Sequence, residues 1–301
     1  MSTVVERLNE RRPVFSVEFF PPRDDDTDEA ALWKAVRQLE PLDPAFVSVT
    51  YGAGGSSRGR TIRTTKRIAD ETTLAPVAHL TGVGHSKAEL RNVVGWYAEN
   101  GIRNVLVIRG DPPGDPAGEW VPHPEGIMYA DEMVEMVSAC GEFTIGVAAF
   151  PHGHPRSPDL ETDTEHLVGK IRAGAHFAVA QLFFEPEYFL RLRDRLAARG
   201  CDVPMLPGVM PLTTKKTLAK SIELSGVDAP PELLRRLERF EDDPEGFRAA
   251  GIDAVTKICE RLLAEDVLGL HFYTLNRSTA TREIVDRLGL ADSPVPVPAV
   301  A

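Results

Sequence analysis

Eight short apolar runs recur along the chain, each separated from the next by a stretch with helical spacing. They predict strands over Val14–Phe20, Ala45–Tyr51, Pro76–Thr81, Asn104–Ile108, Phe143–Phe150, Ala178–Phe183, Val203–Val209 and Gly269–Leu275. Most are almost continuously hydrophobic (VLVI, TIGVAAF, VAQLFF), the pattern of parallel strands covered on both faces. Between the first two, Leu32, Val36 and Leu39 repeat at helical spacing behind an acidic start, Asp24–Glu29, that favours a helix N-terminus. Ser86–Glu89 and Thr162–Glu165 both match a capping box. Helices over Pro231–Phe240 and Gly246–Glu265 precede the last strand, so one connection carries an insertion. Eight such units predict a single-domain (β/α)8 barrel over residues 1–290. The proline-alternating residues 291–301 read as a disordered tail. An open doubly wound sheet is the alternative, but it normally places phosphate-binding glycines after its first strand, and FFPPRDDD contains none.

Composition narrows the class. The 301 residues carry 34 basic against 45 acidic side chains, a formal net charge of −11, which argues against nucleic acid as a partner. No apolar run approaches the roughly 20 residues that span a bilayer. Met1–Pro13 lacks the apolar centre of a signal peptide. Cys140, Cys201 and Cys259 are scattered without a CxxC, as reduced thiols of a cytoplasmic protein would be. The expectation is an enzyme acting on small molecules, away from membranes, with a homo-oligomer compatible with the chain.

A barrel enzyme carries its chemistry at the C-terminal ends of its strands. Glu18 lies within the first strand, where neither face meets water, so its carboxyl needs a partner or a raised pKa, the latter suiting a general acid. The Gly52–Ser57 loop after the second strand reads as a plain turn, and His79 ends the third. Asp111 follows the fourth in Arg109-Gly110-Asp111-Pro112-Pro113, either positioned for chemistry or part of an Asp-Pro turn. His152 and His154 invite a zinc reading, but the further ligands such a site needs are missing, and no metal is expected. Gln181, buried in the sixth strand, must satisfy a donor and an acceptor, as a heterocyclic ligand would allow. Arg277 closes the eighth strand and suits an anionic tail or phosphate, or else a salt bridge.

Together these residues resemble the methylenetetrahydrofolate reductase family. The matching segments are FSVEFFPPR (Phe15–Arg23), FVSVTYGAGG (Phe46–Gly55), AHLT (Ala78–Thr81), IRGDPP (Ile108–Pro113), AQLFF (Ala180–Phe184), PGVMP (Pro207–Pro211) and HFYTLNR (His271–Arg277), in family order from about Phe15 to Leu290. The length resembles the bacterial catalytic barrel without the regulatory domain of eukaryotic members. The resemblance implies reduction of 5,10-methylenetetrahydrofolate to 5-methyltetrahydrofolate with electrons from NADH or NADPH, usually through FAD, in one-carbon metabolism and methionine biosynthesis. It implies that Glu18 protonates folate N10, that Asp111 holds the pterin and favours the cationic intermediate, that Gln181 binds the pterin edge, and that Arg277 lies near the glutamate tail. Thr50, His79, Arg109, Gly110, Asp111, Tyr129, Ala149, Phe150, His154, Asp163 and Lys170 match flavin-site positions.

The chain departs from the family pattern at Phe150, usually Tyr, at His166 and Gly169, usually Asn and Arg, and at Ser221, often an aromatic. Losing that arginine removes a strong diphosphate donor. Two alternatives follow: the same reduction without bound flavin, NADH passing hydride directly to the folate, and a folate-binding partner subunit without turnover.

Overall fold

The computed structural model describes residues 3–10, 13–22, 26–51, 58–112 and 119–291. Eight strands, β1 (Val14–Phe19), β2 (Val47–Val49), β3 (Pro76–Thr81), β4 (Asn104–Ile108), β5 (Thr144–Ala149), β6 (Phe177–Leu182), β7 (Met205–Val209) and β8 (Gly269–Tyr273), form a closed barrel in sequence order. Every pairing is parallel, and β8 closes on β1. The helices are α1 (Val4–Glu10), α2 (Asp26–Leu39), α3 (Arg58–Glu71), α4 (Lys87–Glu99), α5 (Ala130–Ala139), α6 (Leu160–Arg172), α7 (Pro186–Ala197), α8 (Lys215–Ser225), α9 (Pro231–Glu238), α10 (Pro244–Leu263) and α11 (Thr279–Arg287). The architecture is the expected (β/α)8 barrel, with α9 and α10 as the insertion before β8.

Strand alternation sorts the side chains into two cores. Phe15, Val17 and Phe19 of β1 pack outward with Val47, Val49, Leu270 and Phe272 against the helices. Val14, Phe46, Val77, Leu106, Phe177, Val179 and Leu206 fill the lower barrel interior. The Phe46 and Phe177 rings lie 5.5 Å apart there. A Cβ on Gly146 would stand 2.3 Å from the Phe177 ring, so β5 needs glycine at that level. Above this apolar plug the inward positions turn polar: Ser16, Glu18, Ser48, His79, Gln181, His271 and Tyr273. The same alternation that seals the bottom therefore delivers the chemistry to the top.

Three local expectations change. Helix α1, unexpected from the charged N-terminus, buries Val4 and Leu8 against the lower barrel core. Helix α6 is capped by Asp159, which accepts from Thr162 N at 2.7 Å; Thr162 therefore lies inside the helix and its capping-box match is fortuitous. Strand β2 spans only three residues of the longer run. Ser86 and Glu89 do form the expected capping box on α4. Of the expected tail, residues 292–301 lie outside the described residues.

Candidate active site

Glu18 sits in the upper barrel, hydrogen-bond register placing it beside Ser48 of β2 and Tyr273 of β8. Its carboxylate is 5% exposed by residue and accepts from Ser48 Oγ at 3.0 Å. His79 Nε2 lies 3.2 Å and His271 Nε2 3.6 Å from the same oxygen, Oε2. Burial alone would push this carboxyl up, but His79 and His271 more than offset it and hold it well below the usual carboxylate range. Of the two possibilities the sequence left, partner or raised pKa, the partner prevails, because three inward polar side chains converge on it.

The β8–β1 edge is clamped around this group. Thr274 Oγ1 donates to Glu18 O at 2.7 Å, and the Asn276 amide bridges Phe20, accepting from its N at 2.8 Å and donating to its O at 3.0 Å. Leu275 and Asn276 take φ of 49° and 58°, a left-handed pair that non-glycine residues hold only at a cost of order 1 kcal/mol each. The loop conformation that turns Asn276 onto Phe20 has no short-range signature in the sequence.

Gln181 is half-buried where the β6–β7 register shifts, and its Oε1 accepts from Leu182 N at 2.9 Å. Its acceptor is thus used internally, while its amide nitrogen has no partner among the described residues. Arg277 is exposed, without a carboxylate partner among them, on a cavity of about 450 Å³. Lys34 and Arg248 also line that cavity, with Thr213, Thr214 and Thr217, and no acid does. Arg248 is itself paired with Glu283 at 2.6 Å, which leaves Lys34 and Arg277 as the cations there without a carboxylate partner among the described residues.

On the β4–β6 side, Asp111 stands at the solvent-facing mouth. Desolvation raises its pKa, against the pull of Arg156 and Arg109. Arg109 stacks over Trp120 at 4.9 Å and lies 3.5 Å from His154 Nε2. Burial first, then Arg109, pushes His154 down to about 4, so its imidazole is neutral at pH 7. Asp163 accepts from His154 N at 3.0 Å and Ser157 Oγ at 2.8 Å, which fixes this turn. Lys170 donates to Ala148 O at 2.5 Å, and burial lowers it to about 8 despite Asp163 and Asp131. Tyr129 stacks on His166 at 6.0 Å, and Phe150 meets His154 edge-on at 4.9 Å. Thr50 is buried at the end of β2, and Gly110 holds φ +89° where a Cβ would strike Thr81 and Val83.

The Ala149 side chain, at a candidate position, and Ser221, at a position that departs from the family pattern, both point away from the rim. Ala149 packs in the outer core, so only its backbone faces the rim. Ser221 is buried, its hydroxyl donating to Thr217 O at 2.9 Å. The two histidines of HxH diverge, His152 packing on Tyr188 at 3.9 Å while His154 turns to Arg109.

A closed parallel barrel with a carboxylate buried beside two imidazoles has the upper-barrel polar cluster of a barrel enzyme. The sequence profile of methylenetetrahydrofolate reductase matches residues 3–289. The chain is 38% identical over 275 residues to the 5,10-methylenetetrahydrofolate reductase of Pectobacterium carotovorum, covering 91% of this chain and 90% of that one. The reductase of Escherichia coli is 37% identical over 276 residues, with the same shares. Methylenetetrahydrofolate reductase 1 of Schizosaccharomyces pombe is 33% identical over 281 residues, which span 92% of this chain and 46% of that protein. The chain belongs to the methylenetetrahydrofolate reductase family, a family of oxidoreductases.

Among solved structures, a Clostridium thermocellum protein that binds two copies of 5-methyl-5,6,7,8-tetrahydrofolic acid superposes with TM-score 0.61 at 12% identity, over 95% of this chain and 96% of that one. Oxaloacetate acetylhydrolase superposes with TM-score 0.54, also at 12% identity, over 98% and 88%. At these identities the likeness is one of fold. No helix among the described residues is long and apolar enough to cross a membrane.

Proposed function

We propose that this protein reduces 5,10-methylenetetrahydrofolate to 5-methyltetrahydrofolate with NADH or NADPH as electron source, in the cytoplasm. The observation that carries the reading is Glu18, a carboxylate buried inside the barrel beside His79 and His271. A pure binding site has no use for it. Its proton would pass to folate N10 as the C–N10 bond opens, leaving a 5-iminium carbon to accept hydride. Asp111, at the mouth, would favour that cation electrostatically. The unpaired Gln181 amide nitrogen would donate to an acceptor on the pterin edge. Arg277, on its acid-free cavity, would hold the glutamate tail of the substrate.

The rim beside Arg109 fits a dinucleotide diphosphate. Arg109 is half-buried with no carboxylate in hydrogen-bond reach among the described residues; Arg156 repels it and Asp111 only partly compensates, so an anion beside it would relieve both desolvation and repulsion. FAD would be held by Arg109 and the Gly110 backbone, with Thr50, His79, Asp111, Tyr129, the Ala149 backbone, Phe150, His154, Asp163 and Lys170 around it. When bound it supplies a relay for hydride between nicotinamide and folate.

A second reading, direct hydride transfer from NADH without flavin, is favoured by α6. The position of Gly169 opens onto Asp131, whose Oδ2 would lie 3.8 Å from a Cβ there, and His166 is engaged with Tyr129. Gly169 offers the diphosphate no side-chain donor, and the His166 ring is stacked on Tyr129.

The deciding experiment is NADH oxidation by purified protein, dependent on methylenetetrahydrofolate, with and without added FAD and with NADPH in parallel. Turnover only with FAD supports the flavoenzyme. Equal turnover from colourless protein supports direct transfer. No turnover under any condition, with folate still bound, would overturn both in favour of a binding subunit.

A further inference from the structure

The proposed acid raises a difficulty of its own. A proton donor must be loaded before each turnover, yet the contacts around Glu18 stabilise its ionised form. The resolution lies in its neighbours rather than in the carboxyl alone. Ser16 and His271 are register partners on β1 and β8, and His271 Nδ1 stands 2.7 Å from Ser16 Oγ. That contact orients the ring so that Nε2 points at Glu18 Oε2, 3.6 Å away. His79 Nε2 approaches the same oxygen from β3 at 3.2 Å. Neither Nε2 has a fully aligned hydrogen-bond partner, although both are buried. The hydrogen bond and close imidazole approaches to Glu18 all fall on Oε2, none on Oε1, among the described residues.

Counting charge in this enclosure decides its protonation. With a carboxylate and two neutral imidazoles the cluster is −1; with one added proton it is neutral; with two it is +1. A site this deeply buried favours the neutral count, with the added proton on an imidazole beside the carboxylate. Among the described residues the inward neighbours supply no other charge. Inward neighbours on β1, β2, β3 and β8 are Ser16, Ser48, Thr50 and Tyr273. The Tyr273 phenol donates to Ala180 O at 3.1 Å, and burial, followed by Glu18, keeps it protonated. The Phe46 ring lies flat against His271, centroids 5.6 Å apart, presenting a π-face that accommodates an imidazolium.

We infer that Glu18, His79 and His271 hold one transferable proton in common, and that His271, oriented by Ser16, is a positioning residue that keeps this proton available to Glu18. The use of the proton rests on the reductase reading; its presence does not. In turnover the imidazolium Nε2–H gives its proton to Glu18 Oε2, and the carboxyl so formed passes a proton to N10 as the C–N10 bond opens. One N–H bond breaks at the imidazole, one forms at N10, and Glu18 returns to a carboxylate. The imidazole left neutral is recharged by a proton from solvent after product departs.

The test has two arms. Nitrogen NMR of the ligand-free protein labelled at histidine, with Glu18→Gln and His271→Gln for assignment, reads the imidazoles directly. At neutral pH one imidazolium, localised on or divided between His79 and His271, is expected in the wild type and is lost in Glu18→Gln. If both rings are neutral in the wild type and unchanged by Glu18→Gln, the shared proton is refuted.

In the kinetic arm, His271→Gln should move the alkaline limb of kcat to lower pH by roughly half a unit or more, because the cluster has lost a proton-holding site. KM for folate should stay within about twofold, since His271 is fully buried beside Glu18. Ser16→Ala should shift the limb in the same direction and by less. A kcat lowered equally at every pH would make His271 structural and overturn its assigned role. Absence of wild-type turnover would sink the reductase reading instead, while the NMR arm still decides the proton.

Discussion

Glu18→Gln removes one charge and one proton while keeping the side chain's volume and its ability to accept from Ser48. At 3.2 Å and an effective dielectric of about 20, the lost attraction to a charged His79 is about 5 kcal/mol gross. Several kcal/mol of that are returned, because the amide has no charge to desolvate. The net change in stability should therefore stay within about 2 kcal/mol, a displacement of Tm by a few degrees in a chain of this size. Catalysis should respond very differently. Loss of a positioned general acid costs about 10²–10⁴ in kcat, or roughly 3–5 kcal/mol of barrier. Folate affinity should change by no more than about threefold, as the pterin and tail contacts are intact. The assays are folate-dependent NADH oxidation and equilibrium binding of 5-methyltetrahydrofolate, followed by protein fluorescence. A kcat within threefold of wild type would refute Glu18 as proton donor. A loss of binding in step with kcat would instead make it a substrate-binding group.

Arg277→Ala should raise KM for folate about tenfold, the worth of one charge-assisted contact at an exposed site, with kcat within about twofold; steady-state kinetics check it, and an unchanged KM would remove Arg277 from the tail site. Gly208→Ala places a Cβ 2.2 Å from Ala180 O and 2.6 Å from the Tyr273 ring, so it should lower Tm by several degrees and disturb Gln181 on the neighbouring strand, read by calorimetry and folate binding. His154 has a folded pKa of about 4 against 6.5 unfolded, so the unfolded chain binds more protons between those values. Its contribution is whole above pH 6.5 and is lost as pH falls toward 4; urea midpoints across that window should drop less steeply in His154→Gln than in wild type.

Strand order and closure were legible in the apolar runs because a parallel strand buried on both faces must be hydrophobic almost throughout, and all eight runs became strands. Glu18 stood out for the complementary reason: a charge in such a run has no water to reach. The sequence also named Asp111, Gln181 and Arg277, polar residues at strand ends where a barrel concentrates its chemistry. It determined, through its motifs, the family.

What it left open depends on distances between residues far apart in the chain. That Glu18 is answered by His79 and His271, 61 and 253 positions away, lowers a pKa that burial alone would raise, and only the closed barrel, with β8 beside β1, brings His271 to it. Helix α1 went unseen because two buried residues in a charged segment show no periodicity. Asp159 displaced Thr162 as a cap because a helix start depends on which backbone N–H a carboxylate reaches. Side-chain periodicity is written locally and survives in one dimension; electrostatics at 3 Å belongs to the folded molecule, since proximity is what sets its sign and size.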